Sequence, residues 1–278
     1  MRTQRPGSEF PLFKRAVICI LALWFAGLPA ASASAADFEF EGEIEARDSV
    51  SHLLAHYVGE FTPEEFFLAV DGQPDASGRI RELYMDLTGV PVGGVRLDKL
   101  VFRMSGAQFN PPSEWPSGEI ECKDALQIYA YALLKEDDVN RHLTGETFGD
   151  GDHWSNISMK ISPSGLYARG NYSARMLFIP LNILIEVDSG LKIVDNRSLW
   201  LDNYKLRVNR LDVPGYITRK AVEQIQPLLD LNNFPLPLRL HKVELEDGQA
   251  ALSTRILPTL LEGGITYHYR AATEAEAE

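Results

Sequence analysis

The sequence predicts an α+β protein in which a long, curved antiparallel sheet wraps around helices. Three observations predict it. Segments of alternating apolar residues follow one another from residue 81 to residue 256. Helix-spaced apolar stripes occur at only two places, near residues 50–61 and 214–226. The order is helix, many strands, short helix, more strands, helix, hairpin, which is not the regular β-α-β alternation of a parallel sheet. No stretch rich in Gly, Ser or Pro divides the chain, so residues 37–270 read as one domain.

The first helix is carried by Val50, Leu53, Leu54, Tyr57, Val58 and Phe61 on one stripe. Asp48 or Ser49 supplies a cap oxygen, and Pro63 marks the end. In residues 81–88, Leu83, Met85 and Leu87 share one strand face. Val95 and Leu97 begin the next strand, but its apolar parity then switches to Leu100, Phe102 and Met104. A β-bulge at Asp98-Lys99 accounts for the switch. Asn110-Pro111-Pro112 breaks the pattern. Residues 125–134 are apolar at both parities. Residues 135–143 form a short helix with an acidic start, which the helix dipole favours.

Residues 154–161 alternate, Ser162-Pro163-Ser164-Gly165 turns, and residues 166–172 return. Leu177, Ile179, Leu181, Ile183, Ile185 and Val187 form the longest alternating run. Pro180 inside it marks an edge strand or a bulge, because proline cannot donate to a ladder. Asp188-Ser189-Gly190 is expected to close a hairpin into residues 191–194, and residues 199–201 and 204–208 continue the sheet. The second clear helix covers residues 214–226, with Ile217, Ala221, Ile225 and Leu228 aligned and Pro227 ending it. A last hairpin turns at Asp247-Gly248.

Residues 1–36 read as a secretory signal peptide. Arg2, Arg5, Lys14 and Arg15 are basic, residues 16–28 are a 13-residue apolar run, and Ala-x-Ala sites precede Asp37. A bilayer-spanning helix needs about 20 apolar residues. The expected location is therefore periplasmic or secreted. Beyond residue 36 the chain holds 23 basic and 38 acidic residues, a net charge of −15. That charge repels phosphate backbones and excludes nucleic-acid binding. It also argues against lasting attachment to an anionic membrane, local patches aside. Residues 271–278 read as a solvated acidic tail. Cys122 is the one cysteine after the leader, so no internal disulfide forms there and a core position is expected.

Catalytic and metal patterns are weak. His52 and His56 are spaced to share a metal, but no third ligand stands at a telling spacing. Gly149-Asp150-Gly151-Asp152-His153 lacks the alternating oxygen ligands and final Glu of a calcium loop. Residues 89–94, GVPVGG, lack the Lys-Ser/Thr of a phosphate loop, and no Gly-x-Ser-x-Gly elbow occurs. The expectation is a non-enzyme with no catalytic residue, metal or cofactor. What stands out is surplus apolar strand surface, since antiparallel strands usually keep one wet face. Either helices cover the second face, or the sheet encloses a greasy slot.

Residues 208–254, VNRLDVPGYITRKAVEQIQPLLDLNNFPLPLRLHKVELEDGQAALST, resemble the LmeA-like phospholipid-binding family of bacterial envelope proteins. The matching features are Val213-Pro214, the Pro-Leu-Leu-Asp of residues 227–230, the FPLPL of residues 234–238 and Asp247-Gly248. Residues 78–102 and the EDDVN of residues 136–140 are similar too. The resemblance spans about residues 45–256. It implies a non-catalytic phospholipid carrier in which a curved sheet wraps a helix, resembling tubular lipid-binding domains. Transient membrane contact goes with that role. On this reading Leu126, Ile128, Tyr129, Tyr131, Leu177, Ile179, Leu181 and Ile183 contribute to an acyl-chain slot, with Phe234, Leu236 and Leu238 near its mouth. The alternative reading is an envelope scaffold or assembly protein without a bound ligand.

Overall fold

The computed structural model describes residues 37–272, apart from 93, 146–152, 177–178, 224–225 and 233–237. The signal segment, residues 273–278 of the acidic tail, residues 149–152 of the glycine-aspartate loop, Leu177, Phe234 and Leu236 lie outside the described residues. The strands are β1 (Asp37–Glu41), β2 (Glu65–Val70), β3 (Arg79–Val92), β4 (Val95–Phe109), β5 (Cys122–Lys135), β6 (Trp154–Ser162), β7 (Gly165–Met176), β8 (Ile179–Val194), β9 (Ser198–Val208), β10 (Leu211–Asp212), β11 (Leu229–Asp230), β12 (Lys242–Glu246), β13 (Gln249–Ser253) and β14 (Ile265–Arg270). The helices are α1 (Ser49–Phe61), α2 (Glu136–Gly145) and α3 (Gly215–Glu223). The α+β class therefore holds, but the strands divide into two sheets rather than one. An eight-stranded sheet runs β1-β14-β2-β3-β4-β5-β13-β12, and a six-stranded sheet runs β10-β9-β8-β7-β6 with β11 also on β9. Every pairing is antiparallel except β1 with β14.

Helix α1 organises the first sheet. Asp48 caps it through Oδ1, which accepts the Ser51 N–H at 2.7 Å, while Ser51 Oγ accepts the Asp48 N–H at 2.9 Å. This reciprocal pair satisfies two amides that a helix start otherwise leaves unpaired. Asp48 Oδ2 also accepts from the Tyr267 hydroxyl and from Gln73, so one carboxylate ties the helix to β14. Thr62 takes a left-handed conformation that ends the helix before Pro63. Val50, Leu53, Leu54, Tyr57 and Phe61 are buried, as the stripe requires.

The inner face of the sheet meets that stripe. One row, Tyr267, Leu68, Met85, Phe102 and Ala130, crosses five strands in register. Leu83, Leu87, Leu100, Met104 and Trp115 complete the same core. The register shift between Leu97 and Lys99 is the expected bulge, and it reconciles the two parities of β4. The outer face of the sheet holds a smaller cluster of Ala69, Tyr84 and Val101, with Phe67, Tyr131 and Leu261 packed against it.

Helix α2 clamps the two sheets together. Its buried Asp138 pairs with Arg96 on β4 and with Arg141. Asn140 bonds the backbone of Met159 in both directions, and Glu136 accepts the Ile161 N–H at 2.6 Å.

The hairpin expected at Asp188-Ser189-Gly190 does not form. β8 runs straight through, with a register shift between Asp188 and Gly190 against β9. Ser189 Oγ stays inside the strand and donates to the Gly190 carbonyl. On β7, Gly165 has φ +137, and a Cβ there would stand 2.4 Å from the Ser189 carbonyl oxygen. Glycine permits that close approach, so the DSG turn residues form a bulge between two partner strands. Pro180 pairs with Arg175 on β7, whereas pairing with β9 begins only at Ile185, so Pro180 occupies an edge.

Burial separates two leucines that the pattern alone treats alike. Leu54 is fully buried under the sheet, whereas Leu126 is 71 % exposed. Leu54→Ala should lower stability by about 2–5 kcal/mol in urea unfolding. Leu126→Ala should stay within about 0.5 kcal/mol of the parent. Equal losses at both positions would contradict this burial pattern.

Candidate functional site

The first sheet uses its apolar face on α1. The second sheet has an apolar face that, among the described residues, no helix as long as α1 covers. Its rows follow from register. Trp154, Tyr172 and Ile183 form one. Gly170, Ile185, Val208 and Leu211 form the next. Met159, Ala168, Val187 and Leu206 form the third. Leu181, opposite Ala174, extends the face along β8. These large side chains are half-buried, except Leu211, which is 73 % exposed. None of them joins the main core.

The other face of the same sheet is polar. Tyr167 donates to Glu186 at 2.7 Å, Arg207 donates to Asp188 at 2.6 Å, and Arg169 donates to the Ser158 hydroxyl at 3.2 Å. The Glu186 carboxylate raises the Tyr167 pKa by accepting its proton in that hydrogen bond. Alternation therefore sorts the sheet into a wet side and a greasy side, the usual antiparallel arrangement.

Helix α3 packs along β9 of this sheet. Thr218 and Val222 are its buried residues, and Thr218 Oγ1 donates to the Val213 carbonyl. The expected alignment of Ile217, Ala221, Ile225 and Leu228 is not the inward face, because Ile217 and Ala221 are exposed and Ile225 lies outside the described residues. α3 has nine residues, a length of about 13 Å at 1.5 Å per residue. Five strands from β10 to β6 span about 19 Å at normal spacing. That helix alone does not span the width; α2 packs against β6 at the far edge, and β12 against β6 and β8.

The residues expected to line a slot fall in different places. Leu181 and Ile183 lie on the half-covered face of the second sheet. Ile179 opposes Met176 at the start of β8. Ile128 instead faces the first sheet's core opposite Met104. Tyr129 and Tyr131 point to that sheet's outer face, where Tyr129 donates to Gln127 at 2.7 Å. Burial beside Glu244 raises the Tyr131 pKa. Leu126 stands in the open over Gly106, and Leu238 is buried in the main core. Thus the structure brings Leu181 and Ile183 together and separates the β5 residues from them. Met159, Tyr172, Ile185, Val187, Leu206 and Val208 complete the face. Their alternation is legible in the sequence, but which strands pair is not.

Polar chemistry is sparse around this face. A cleft of about 270 Å³ lined by Asn156, Arg169, Asn171 and Leu184 opens on the wet side, and one of about 450 Å³ lies against α2 at Asp137, Asn140, Arg141 and Thr144. Among the described residues no group of three or more His, Cys, Asp or Glu side chains is placed to hold a metal. His52 and His56 are half-buried along α1, and burial lowers the His56 pKa.

Two open sheets, one filled by a helix and one with a half-covered apolar face, define an α+β protein with apolar surface beyond what its core consumes. The LmeA-like phospholipid-binding family model matches residues 42–255, and the chain belongs to that family. No curated protein and no solved structure matches the chain.

Cys122 sits in the main core, and burial pushes its thiol up to about 12. Only the thiolate reacts with disulfide reagents. The native protein at pH 8 should therefore resist 5,5′-dithiobis(2-nitrobenzoate), and unfolded protein should react fully. Rapid stoichiometric labelling of the native form would show that this core opens.

Proposed function

We propose that the protein is an exported, non-catalytic phospholipid carrier of the bacterial cell envelope, and that acyl chains lie on the apolar face of the second sheet. The observation that carries this reading is the contiguous, half-covered apolar surface made by Tyr172, Ile183, Ile185, Val187, Leu206 and Val208 in a chain of a phospholipid-binding family. From Leu181 to Val187 the strip runs about 20 Å at normal strand rise. One leaflet of a bilayer's hydrocarbon core is about 15 Å deep. A strip of that length matches an acyl chain.

The energetics explain why such a face is useful. An acyl chain of about 16 carbons costs roughly 13 kcal/mol to expose to water, at about 0.8 kcal/mol per methylene. A lipid crosses an aqueous compartment only when protein replaces the lost bilayer contacts. The apolar face would gain equally by being covered, so transfer between bilayer and protein is close to neutral and needs no coupled reaction. Curvature of the sheets around the ligand would give the arrangement of a tubular lipid-binding domain. The leader at residues 1–36 would bring the chain to that compartment, and the surplus of acid would keep it soluble there.

Lipid extraction and mass spectrometry of purified protein test the reading. Parent protein should retain phospholipid. Ile183→Asn should lower lipid content at least about tenfold, because a buried amide without a partner costs more than one factor of ten in binding. Lys205→Asn, on the wet face, should retain it. A folded Ile183→Asn protein with full lipid occupancy would refute the assignment. The intact mass of the mature protein should lack about the first 36 residues, and an intact Met1 terminus would refute cleavage.

A further inference from the structure

The geometry points to residues 210–220 as a docking surface for an anionic phospholipid bilayer. Three large apolar side chains stand out of this eleven-residue stretch: Leu211 at 73 %, Tyr216 at 68 % and Ile217 at 42 % exposure. Their neighbours Thr218 and Val222 are the buried residues of α3, so the outward side of the helix start is exposed among the described residues. Arg210, Arg219 and Lys220 are exposed beside them, and among the described residues none of the three has an ion pair. From Arg210 to the end of α3 at Glu223 the acidic residues are Asp212 and Glu223, which gives a local charge of +1 in a chain of −12. Asp212 opposes Arg207 on the wet face, away from Leu211.

This combination selects the occupant. A protein of strong negative charge is repelled by an anionic bilayer in most orientations, and the approach that leads with a basic island is the one that remains. Lys and Arg then reach the headgroups, while Tyr and the two aliphatic side chains suit the interfacial region beneath them. The other exposed apolar group, Ile256, Leu257 and Leu260, lies between Arg255 and Glu262 and has no net charge, so it lacks that complementarity. Leu211 also shares a row with Val208, Ile185 and Gly170. Docking here would place the membrane against the end of the apolar face. That clause rests on the proposed carrier function, whereas docking itself is measured independently.

The test is sedimentation of the soluble protein recovered from expressing cells with phosphatidylglycerol vesicles, and with phosphatidylcholine vesicles, at low salt. Parent protein should sediment with the anionic vesicles and be released by 0.5 M NaCl. The triple variant Arg210→Gln, Arg219→Gln, Lys220→Gln should bind the vesicles about tenfold or more weakly, because each substitution removes a positive charge that the anionic surface attracts. Leu211→Ser, Tyr216→Ser, Ile217→Ser should weaken binding by a similar factor. Leu257→Ser, Leu260→Ser should bind like the parent. Thermal unfolding at the parent's midpoint establishes that each variant is folded. Parent-like binding by both triple variants, or failure of the parent to bind the anionic vesicles, overturns docking. Co-purified lipid separates the two proposals: the Arg210→Gln, Arg219→Gln, Lys220→Gln variant should keep it, and its persistence in Ile183→Asn counts against the apolar-face assignment alone.

Discussion

Everything in this fold depends on the burial of α1 against the inner face of the eight-stranded sheet. Leu53, Leu54 and Tyr57 have no solvent exposure, and the sheet residues opposite them, Leu68, Met85 and Met104, have none either. A sheet with one apolar face must put something on it, and a 13-residue helix about 20 Å long is the cover this chain supplies. Asp48 fixes that cover in place from its first turn, because the same carboxylate caps the helix and receives the Tyr267 hydroxyl. Burial and the hydrogen bond to Asp48 together raise the tyrosine's pKa well beyond its ordinary range, so the hydroxyl remains a donor at any physiological pH.

The second sheet is built on the same alternation but receives a smaller cover. α3 contributes only Thr218 and Val222 as buried residues, whereas α1 contributes six. The difference is one of helix length against sheet width, and it leaves three rows of apolar side chains half in solvent. Such a face is costly for a protein with no use for it, since each half-exposed aliphatic chain forgoes part of its burial gain. The proposed carriage of phospholipid would give it a use, and the polar ladder on the other face of the same sheet keeps the two sides distinct.

Much of this is legible in the sequence where a local pattern decides the outcome. The stripe of α1, the cap at Asp48, the bulge after Leu97 and the acidic start of α2 all follow from neighbours within a few residues. Outcomes decided by distant partners are not. The strands β1, β2 and β14 are short, and their pairing joins residues from both ends of the chain. Asp188-Ser189-Gly190 has turn chemistry, but β7 and β9 hold it on both sides and the residues become a bulge. Residues 125–134 are apolar at both parities because each parity meets a different cluster: Ile128 packs with the main core and Tyr131 with the outer one. Of the slot residues, Leu181 and Ile183 lie where the surplus surface is, and the β5 residues do not, since periodicity identifies a strand's two faces without saying what lies across from them.

The position of β14 sets the order in which the chain can assemble. It lies between β1 and β2, and Thr266 bonds Asp37 across 229 residues of sequence. During synthesis from the amino end, β1 waits without its neighbour until β14 has emerged, and the hydrogen bond from Tyr267 to the cap of α1 forms only then. Loops that long close slowly compared with local hairpins. The architecture thus delays the closing of one edge of the first sheet, whereas the meanders β2–β5 and β6–β9 pair with neighbours that emerge beside them.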